Sequence, residues 1–362
     1  MIKTIRVLHT EWSNGWGGQE IRIIHEMKMM RSEGAEVYLA CRENSMIKDE
    51  AIANNIKVFS LPFRGNTDLK TLFHLKKIIK YYSIDIVNTH SGKDTWVGGL
   101  AAKLTGVKFV RTRHLSNKIN PSRLNFINEL ADYIFTTGEK VRDDMIKYNR
   151  INENKIISIP TGIDDSIFNP ASYNRARCRR ELAINDSEIV IGILAVLRQF
   201  KRHDLFLKMA KSLIKKYPGK RLVFIIAGNG PQKENIEKII NDLNLAENVK
   251  MVGHINNVPE FLCAIDILVL SSDSKEGVPQ SVMQGLFMNK PVVSSDSGST
   301  RDLFNHNNFQ LIQKGSIEAL INGVSIYLDN INEVSTRKYM TENFSSSVMV
   351  KKIMTSYEKI LE

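Results

Sequence analysis

Short apolar, β-branched runs recur along this chain, separated by helix-length segments whose apolar positions fall three and four apart. Runs at 4–10, 36–42, 57–62, 84–90, 108–114, 133–137 and 155–160 read as strands, and 19–33, 68–82, 95–105 and 139–148 as helices. The strands are apolar along nearly their whole length, which means a parallel sheet covered on both faces rather than a half-exposed one. A second series follows, with strands at 189–197, 221–228, 248–253, 267–272, 291–295 and 309–312 and helices at 202–217, 231–245, 258–264, 280–287 and 317–328. The stretch 160–170 between them is rich in Pro, Gly, Asp and Asn and reads as a linker. The last pattern, 344–361, spaces Val348, Val350, Ile353, Met354, Tyr357 and Leu361 as one face of a helix. The expectation is an α/β protein of two Rossmann-like domains, 1–165 and 166–343, with a C-terminal helix (344–362) returning to the first. A central cleft between the domains would hold the active site, because open parallel sheets bind ligands beyond the carboxyl ends of their strands.

Composition narrows this. A chain of 362 residues is too long for one ordinary core, and 43% hydrophobic with 25% charged residues describes a water-soluble globular protein. No apolar run approaches the roughly 20 residues of a membrane span, and residues 1–6 lead into a strand rather than a secretory leader. The expected location is the cytoplasm. Cys41, Cys178 and Cys263 stand alone, without metal or redox spacing, and read as small buried hydrophobes.

The formal charge of +11 is dispersed and accompanied by no nucleic-acid recognition motif, so no nucleic-acid partner is expected. Its most uneven stretch runs from Asp94 to Glu129, where no acid intervenes but Lys103, Lys108, Arg111, Arg113, Lys118 and Arg123 do. Such a window favours an anionic ligand or membrane surface. The basic amphipathic segment 68–82 reads as a sheet-covering helix, with a membrane-surface helix as the alternative.

Four places carry candidate chemistry. Glu276-Gly-Val-Pro-Gln-Ser-Val-Met-Gln284 reads as a tight turn bearing a carboxylate at a helix start, a corner suited to phosphate and sugar. After the first strand comes Glu11-Trp-Ser-Asn-Gly-Trp-Gly-Gly18, a glycine loop that matches neither the dinucleotide fingerprint nor the P-loop. Arg198-Gln-Phe-Lys201-Arg202-His203 puts cations on the turn into a helix, where a diphosphate would relieve their conflict with the helix dipole. His114 ends a strand and would point into the cleft. Gly228-Asn-Gly-Pro231 reads as a structural turn, and no His, Asp or Glu cluster has metal-ligand spacing.

In this order and spacing these pieces resemble the GT-B-fold, retaining glycosyltransferases of glycosyltransferase family 4. The resemblance extends to Asn88-Thr-His-Ser91, Arg113-His114, Ile159-Pro-Thr-Gly-Ile-Asp164 and Val252-Gly-His254. It implies a nucleoside-diphosphate sugar as co-substrate, UDP- or GDP-linked, with no cofactor and no metal. Arg198 and Lys201 would neutralise the donor diphosphate, Glu276 would hold donor hydroxyls, and His114 would sit by the transferred sugar. Gly17 and Gly18 would border the diphosphate and acceptor. Arg113, Arg202, Gly277, Val278, Pro279, Gln280 and Ser281 complete the expected substrate contacts, with Gly253 and His254 near the base.

The implied acceptor is a glycan or a polyprenyl- or lipid-linked sugar. Synthesis of cell-surface polysaccharide or lipopolysaccharide at the inner membrane face is the implied setting. Gln284 stands where the family usually has a second glutamate for the ribose, which replaces a charge-assisted hydrogen bond with a neutral one. Arg198 and Lys201 are also closer together than the commonest family pattern, leaving Lys201 and Arg202 as rivals for the phosphate-binding role. The alternatives are a GT-B-fold nucleotide-sugar epimerase and a non-catalytic sugar-nucleotide or glycan-binding protein.

Overall fold

The computed structural model describes residues 4–114, 119, 123–274, 276–305, 308–330 and 334–362. Residues 1–3, Lys118 and the side chain of Arg123 lie outside what it describes. The chain divides into two compact units, Met1–Gly162 with Ser346–Glu362, and Ile163–Ser345. In the first, β1 (Arg6–Glu11), α1 (Gly18–Ser32), β2 (Glu36–Cys41), α2 (Met46–Ala53), β3 (Lys57–Ser60), α3 (Leu69–Tyr81), β4 (Ile86–Thr89), α4 (Gly92–Thr105) and β5 (Lys108–Arg113) are followed by β6 (Tyr133–Thr136), α5 (Glu139–Asn149) and β7 (Ile156–Ser158). The strands form one seven-stranded parallel sheet in the order β3-β2-β1-β4-β5-β6-β7.

The second unit contains α6 (Arg175–Glu181), β8 (Ile189–Leu194), α7 (His203–Lys216), β9 (Leu222–Ala227), α8 (Lys233–Asp242), β10 (Val249–Gly253), α9 (Val258–Ala264), β11 (Ile267–Leu270), α10 (Gln280–Phe287), β12 (Val292–Ser295), β13 (Gln310–Ile312), α11 (Ile317–Asp329) and α12 (Arg337–Phe344). Its six-stranded parallel sheet runs β10-β9-β8-β11-β12-β13. Both sheets therefore reverse direction beside their own first strand, between β1 and β4 in one unit and between β8 and β11 in the other. At such a switch point the two neighbouring loops diverge to opposite faces and leave a crevice at the carboxyl edge.

Three helices escape the hydrophobic pattern. α6 is polar along most of its length but starts at Asn174, whose side chain accepts from the Arg177 backbone N–H. Its buried Arg179 donates to the carbonyls of Ala264, Asn185 and Glu188, so capping and backbone hydrogen bonds replace an apolar stripe. α2 and α12 are eight residues each, too short to establish a period.

The last helix, α13 (Ser346–Leu361), packs on α1 within the first unit. Met349, Val350, Ile353 and Tyr357 join the core that α1 and the sheet share. The interface also holds a buried polar strip. Asn88 of β4 donates to the Tyr357 hydroxyl at 2.9 Å and accepts from Thr112 of β5 at 2.9 Å. Fully buried Arg22 lies 3.7 Å from Glu26 and donates to Thr161 at 3.2 Å. Burial pushes the Glu26 carboxyl up to about 7 against the pull of Arg22.

Removing the Tyr357 hydroxyl would leave the buried Asn88 donor without that acceptor. Tyr357→Phe is expected to cost about 1–3 kcal/mol, read as a lower denaturant midpoint at unchanged slope. An unchanged midpoint would show that the strip does not anchor the helix.

Candidate functional site

The crevice of the second unit is built from four loops tied to one another. The β8–α7 turn carries Lys201 and the β11–α10 loop carries Glu276, and Lys201 Nζ meets Glu276 Oε1 at 2.6 Å across the switch point. Their side chains are only 15% and 8% exposed. The same loops are joined by Ser271, whose hydroxyl donates to the carbonyls of Lys201 and Arg202, and by the Asp273 N–H, which donates to the Phe200 carbonyl at 3.0 Å.

Two glycines complete the framework. Gly298, in the loop after β12, has φ +61°, and a Cβ there would fall 1.9 Å from the Glu276 carbonyl oxygen. The Ser299 N–H donates to the Gly277 carbonyl in the same place. Gly228 after β9 has φ +142°, and its Cβ would fall 2.0 Å from the Ala195 carbonyl oxygen. The Gly228-Asn-Gly-Pro231 turn thus presses against the β8–α7 loop, and the N–H groups of Leu197 and Gln232 bond across that join.

The three cations of the β8–α7 turn differ in their commitments. Lys201 is bound to Glu276. Arg202, left-handed at φ +52°, forks onto Asp204 with two 2.9 Å bonds and reaches Asp273 at 3.2 Å. Those carboxylates hold its guanidinium strongly protonated. Arg198 is exposed and has no ion pair among the described residues. Among the described residues Lys201 and Arg202 are thus both ion-paired, and Arg198 is not.

A cavity of about 630 Å³ lies beside this turn, walled by Arg198, Arg202, His203, Gln232, Asn235 and Asp273 among others. It shares the turn but does not include Lys201 or Glu276. His203 is buried, burial pushes its imidazole down to about 4, and neither ring nitrogen has a partner.

Of the other expected residues, Gly277, Val278 and Pro279 lead into α10, with Pro279 at its N-cap and Gln280 and Ser281 in its first turn. Gln284 sits one turn further along, half-buried. Gly253, with φ +72°, ends β10, and His254 lines a separate cavity of about 170 Å³ with Asn256, Asn257 and Phe261. Sequence reasoning missed the buried hydroxyls of Ser272, Ser295 and Ser297 at the carboxyl edge, none of which has a hydrogen-bond partner among the described residues.

In the first unit, polar residues gather at the carboxyl ends of three neighbouring strands, His9-Thr10-Glu11, Asn88-Thr89-His90 and Arg111-Thr112-Arg113-His114. His9, His90 and His114 form a chain, with His9 Nδ1 2.9 Å from His90 Nε2 and His90 Nδ1 2.9 Å from His114 Nε2. Burial pushes all three imidazoles down, His9 to about 3, and the charges of Arg22, Arg111 and Arg113 add to this at His114. A neutral His90 must donate to one neighbour and accept from the other, so its proton position fixes the tautomers of both. His90 was legible only as part of Asn88-Thr-His-Ser91 and His9 was not singled out, because their contact depends on which strands lie side by side.

The glycine loop is partly self-satisfied. The Gly15 N–H donates to Ser13 Oγ at 3.0 Å and the Gly17 N–H to Glu20 at 2.9 Å, with Gly18 opening α1. Arg113 is half-buried at the end of β5. Glu11 accepts from the Ser13 N–H and from Gln19. Burial first, and then the neighbouring Asp94, push its carboxyl up to about 8. Asp94 accepts from Thr10 and from the N–H groups of His90 and Ser91. Among the described residues no group of three or more His, Cys, Asp or Glu is arranged to hold a metal ion.

Two switch-point sheets, each with a polar carboxyl edge, make up the GT-B fold, and comparison with known proteins agrees. The glycosyltransferase structure from Rickettsia africae superposes with a TM-score of 0.90 at 19% identity over 99% of both chains. Anabaena HepE, solved with UDP and glucose, gives 0.82 at 17% identity over 98% of this chain and 100% of that one. The Glycosyltransferase Family 4 model matches residues 16–167 and the Glycosyl transferases group 1 model residues 174–345. The chain belongs to the family 4 glycosyltransferases. Its relatives include the Escherichia coli UDP-Gal:alpha-D-GlcNAc-diphosphoundecaprenol alpha-1,3-galactosyltransferase, 25% identical over 98% of this chain and 96% of that protein. The putative Bacillus subtilis glycosyltransferase EpsF is 26% identical over 81% and 79%.

The raised Glu11 pKa makes a pH prediction. Between its ordinary value of 4.5 and about 8 the folded protein holds a proton that the unfolded chain has released. This contribution to stability is complete below pH 4.5 and is lost as pH rises through 8. Glu11→Gln should therefore raise the melting temperature relative to wild type by an amount that grows from pH 5 to pH 8. A difference independent of pH would contradict the shift.

Proposed function

We propose that this glycosyltransferase moves a sugar from a UDP-sugar to a lipid-linked glycan acceptor with retention of anomeric configuration, in the synthesis of cell-surface polysaccharide or lipopolysaccharide. The observation that carries the proposal is the Lys201–Glu276 pair at the switch point, with unpaired Arg198 on the same turn. A donor diphosphate needs positive charge where the leaving group gathers negative charge, and a hydrogen-bond acceptor a few ångströms away for the sugar hydroxyls. Arg198 supplies the fork and Lys201 the point charge. Lys201 keeps donors for phosphate while one is bound to Glu276, and the second Glu276 oxygen takes sugar hydroxyls. N–H groups at the start of α10, after Gly277, favour the same anion. Gln284 contacts the ribose and Gly253 with His254 the base. His114, neutral, offers one hydrogen bond to the transferred sugar.

In the reaction the bond from the anomeric carbon to the diphosphate oxygen breaks. The acceptor hydroxyl attacks from the face the diphosphate leaves, and its proton passes to the departing phosphate oxygen. No cofactor takes part in this scheme. The UDP donor and the diphosphate-linked acceptor are suggested by the printed activity of the Escherichia coli relative.

Attachment to the inner membrane face belongs to the same proposal. No described helix is long and apolar enough to cross a membrane. α3, however, exposes Leu69 (63%), Phe73 (60%) and Tyr81 (81%) beside the exposed Lys70, Lys77 and Lys80, the composition of a helix that lies on an anionic surface.

Transfer from UDP-sugars to a sugar-diphosphate lipid tests the reading. Arg198→Ala and Glu276→Ala should each lower kcat/KM about 100-fold or more, and the product should keep the donor's anomeric configuration by proton coupling. Full activity in both variants would overturn the site, and an inverted product the stereochemistry. Flotation with anionic vesicles should fall in Leu69→Asp/Phe73→Asp, and wild type that fails to float at low salt would remove the membrane role.

A further inference from the structure

The switch point of the first unit carries a second set of cations that the donor site does not use. Trp12 follows β1, Arg42 follows β2 and Lys93 lies in the first turn of α4, which follows β4, so the three come from the carboxyl ends of three adjacent strands. Lys93 Nζ sits 3.9 Å from the centre of the Trp12 ring and Arg42 Cζ 5.6 Å from it. Neither cation has an ion pair among the described residues. The acid nearest Arg42 in sequence, Glu43, is held by Lys48 at 2.5 Å.

A ring face positions a cation without neutralising it, whereas a carboxylate would do both. Arg42 and Lys93 therefore keep their charge and most of their hydrogen-bond donors; the buried Asp94 beside Lys93 is held by Thr10 and by the N–H groups of His90 and Ser91. Next to them Asn14, Arg42, Asn44 and Ser60, with Glu43 held by Lys48, wall a cavity of about 290 Å³, and the Trp12 indole N–H is buried without a partner among the described residues.

We propose that Trp12, Arg42 and Lys93 form a second anion site, which binds the phosphate or diphosphate of the acceptor. The site rests on the transferase reading for the identity of its ligand but not for its existence. Such a site selects acceptors that carry an anion next to the sugar.

Calorimetry with inorganic pyrophosphate tests it, using full-length Arg198→Ala protein so that the donor-side fork does not contribute. Adding Arg42→Gln or Lys93→Gln, which keep most of the stem against Trp12, should weaken pyrophosphate binding about ten-fold each. In the Arg198 wild-type background, the double variant should lose at least ten-fold of its kcat/KM preference for a short-chain alkyl sugar diphosphate over the phosphate-free alkyl glycoside. Pyrophosphate affinity independent of both residues, or equal loss on both acceptors, would overturn the site. Competition by anionic phospholipid vesicles but not by the sugar diphosphate would also overturn it, in favour of a lipid headgroup. If pyrophosphate binding depends on both residues while wild type transfers to neither acceptor, the anion site stands and the transferase reading fails.

Discussion

The buried ion pair between Lys201 and Glu276 is the contact on which the second unit's site depends. Withdrawing two charges from water costs several kcal/mol each, and their attraction offsets that only when geometry and further hydrogen bonds are good. The chain supplies both. The loops that carry the pair are already joined through Ser271 and Asp273, Gly298 closes over the Glu276 backbone, and the Gly228 turn backs the loop that leads to Lys201. The pair is therefore held by backbone packing as much as by its own attraction. The ammonium and the carboxylate stand at a fixed separation before any ligand arrives, and such order lowers the cost of binding.

The first unit uses the same topology with different chemistry. Its sheet reverses beside β1 as the other reverses beside β8, and its carboxyl edge is again where polar residues gather. There the buried groups include the histidine chain, whose imidazoles burial pushes down, and Glu11, whose carboxyl burial pushes up, alongside the Arg22–Glu26 pair. Besides buried Arg22 and Arg111, cations stand at the rim on the face of Trp12.

The fold was legible because its signals are long and repeated. Apolar strands at regular spacing identify parallel sheets, and their order in sequence gives two domains of one plan. Helices α2, α6 and α12 were not legible, because two are too short for periodicity and α6 draws its stability from Asn174 and Arg179 rather than from an apolar face. At the site, Arg198, Lys201 and Glu276 could be picked out as residue types on turns. Their contacts could not, since the bond between Lys201 and Glu276 joins residues 75 apart and depends on which strands lie side by side. The carboxylates around Arg202, Asp204 in α7 and Asp273 in the β11–α10 loop, were likewise not legible as its partners. The histidine chain was hidden for the same reason.

The central claim is that Lys201 and Glu276 act as one unit toward the donor. A double-mutant cycle on nucleotide-sugar affinity, with Lys201→Met, Glu276→Gln and the double variant, measures this directly. The account predicts a coupling above about 1 kcal/mol, with the double variant binding far less weakly than the sum of the single losses. Additive losses, to within about 0.3–0.5 kcal/mol, would mean that the two side chains meet the donor independently and that their contact does not organise the site.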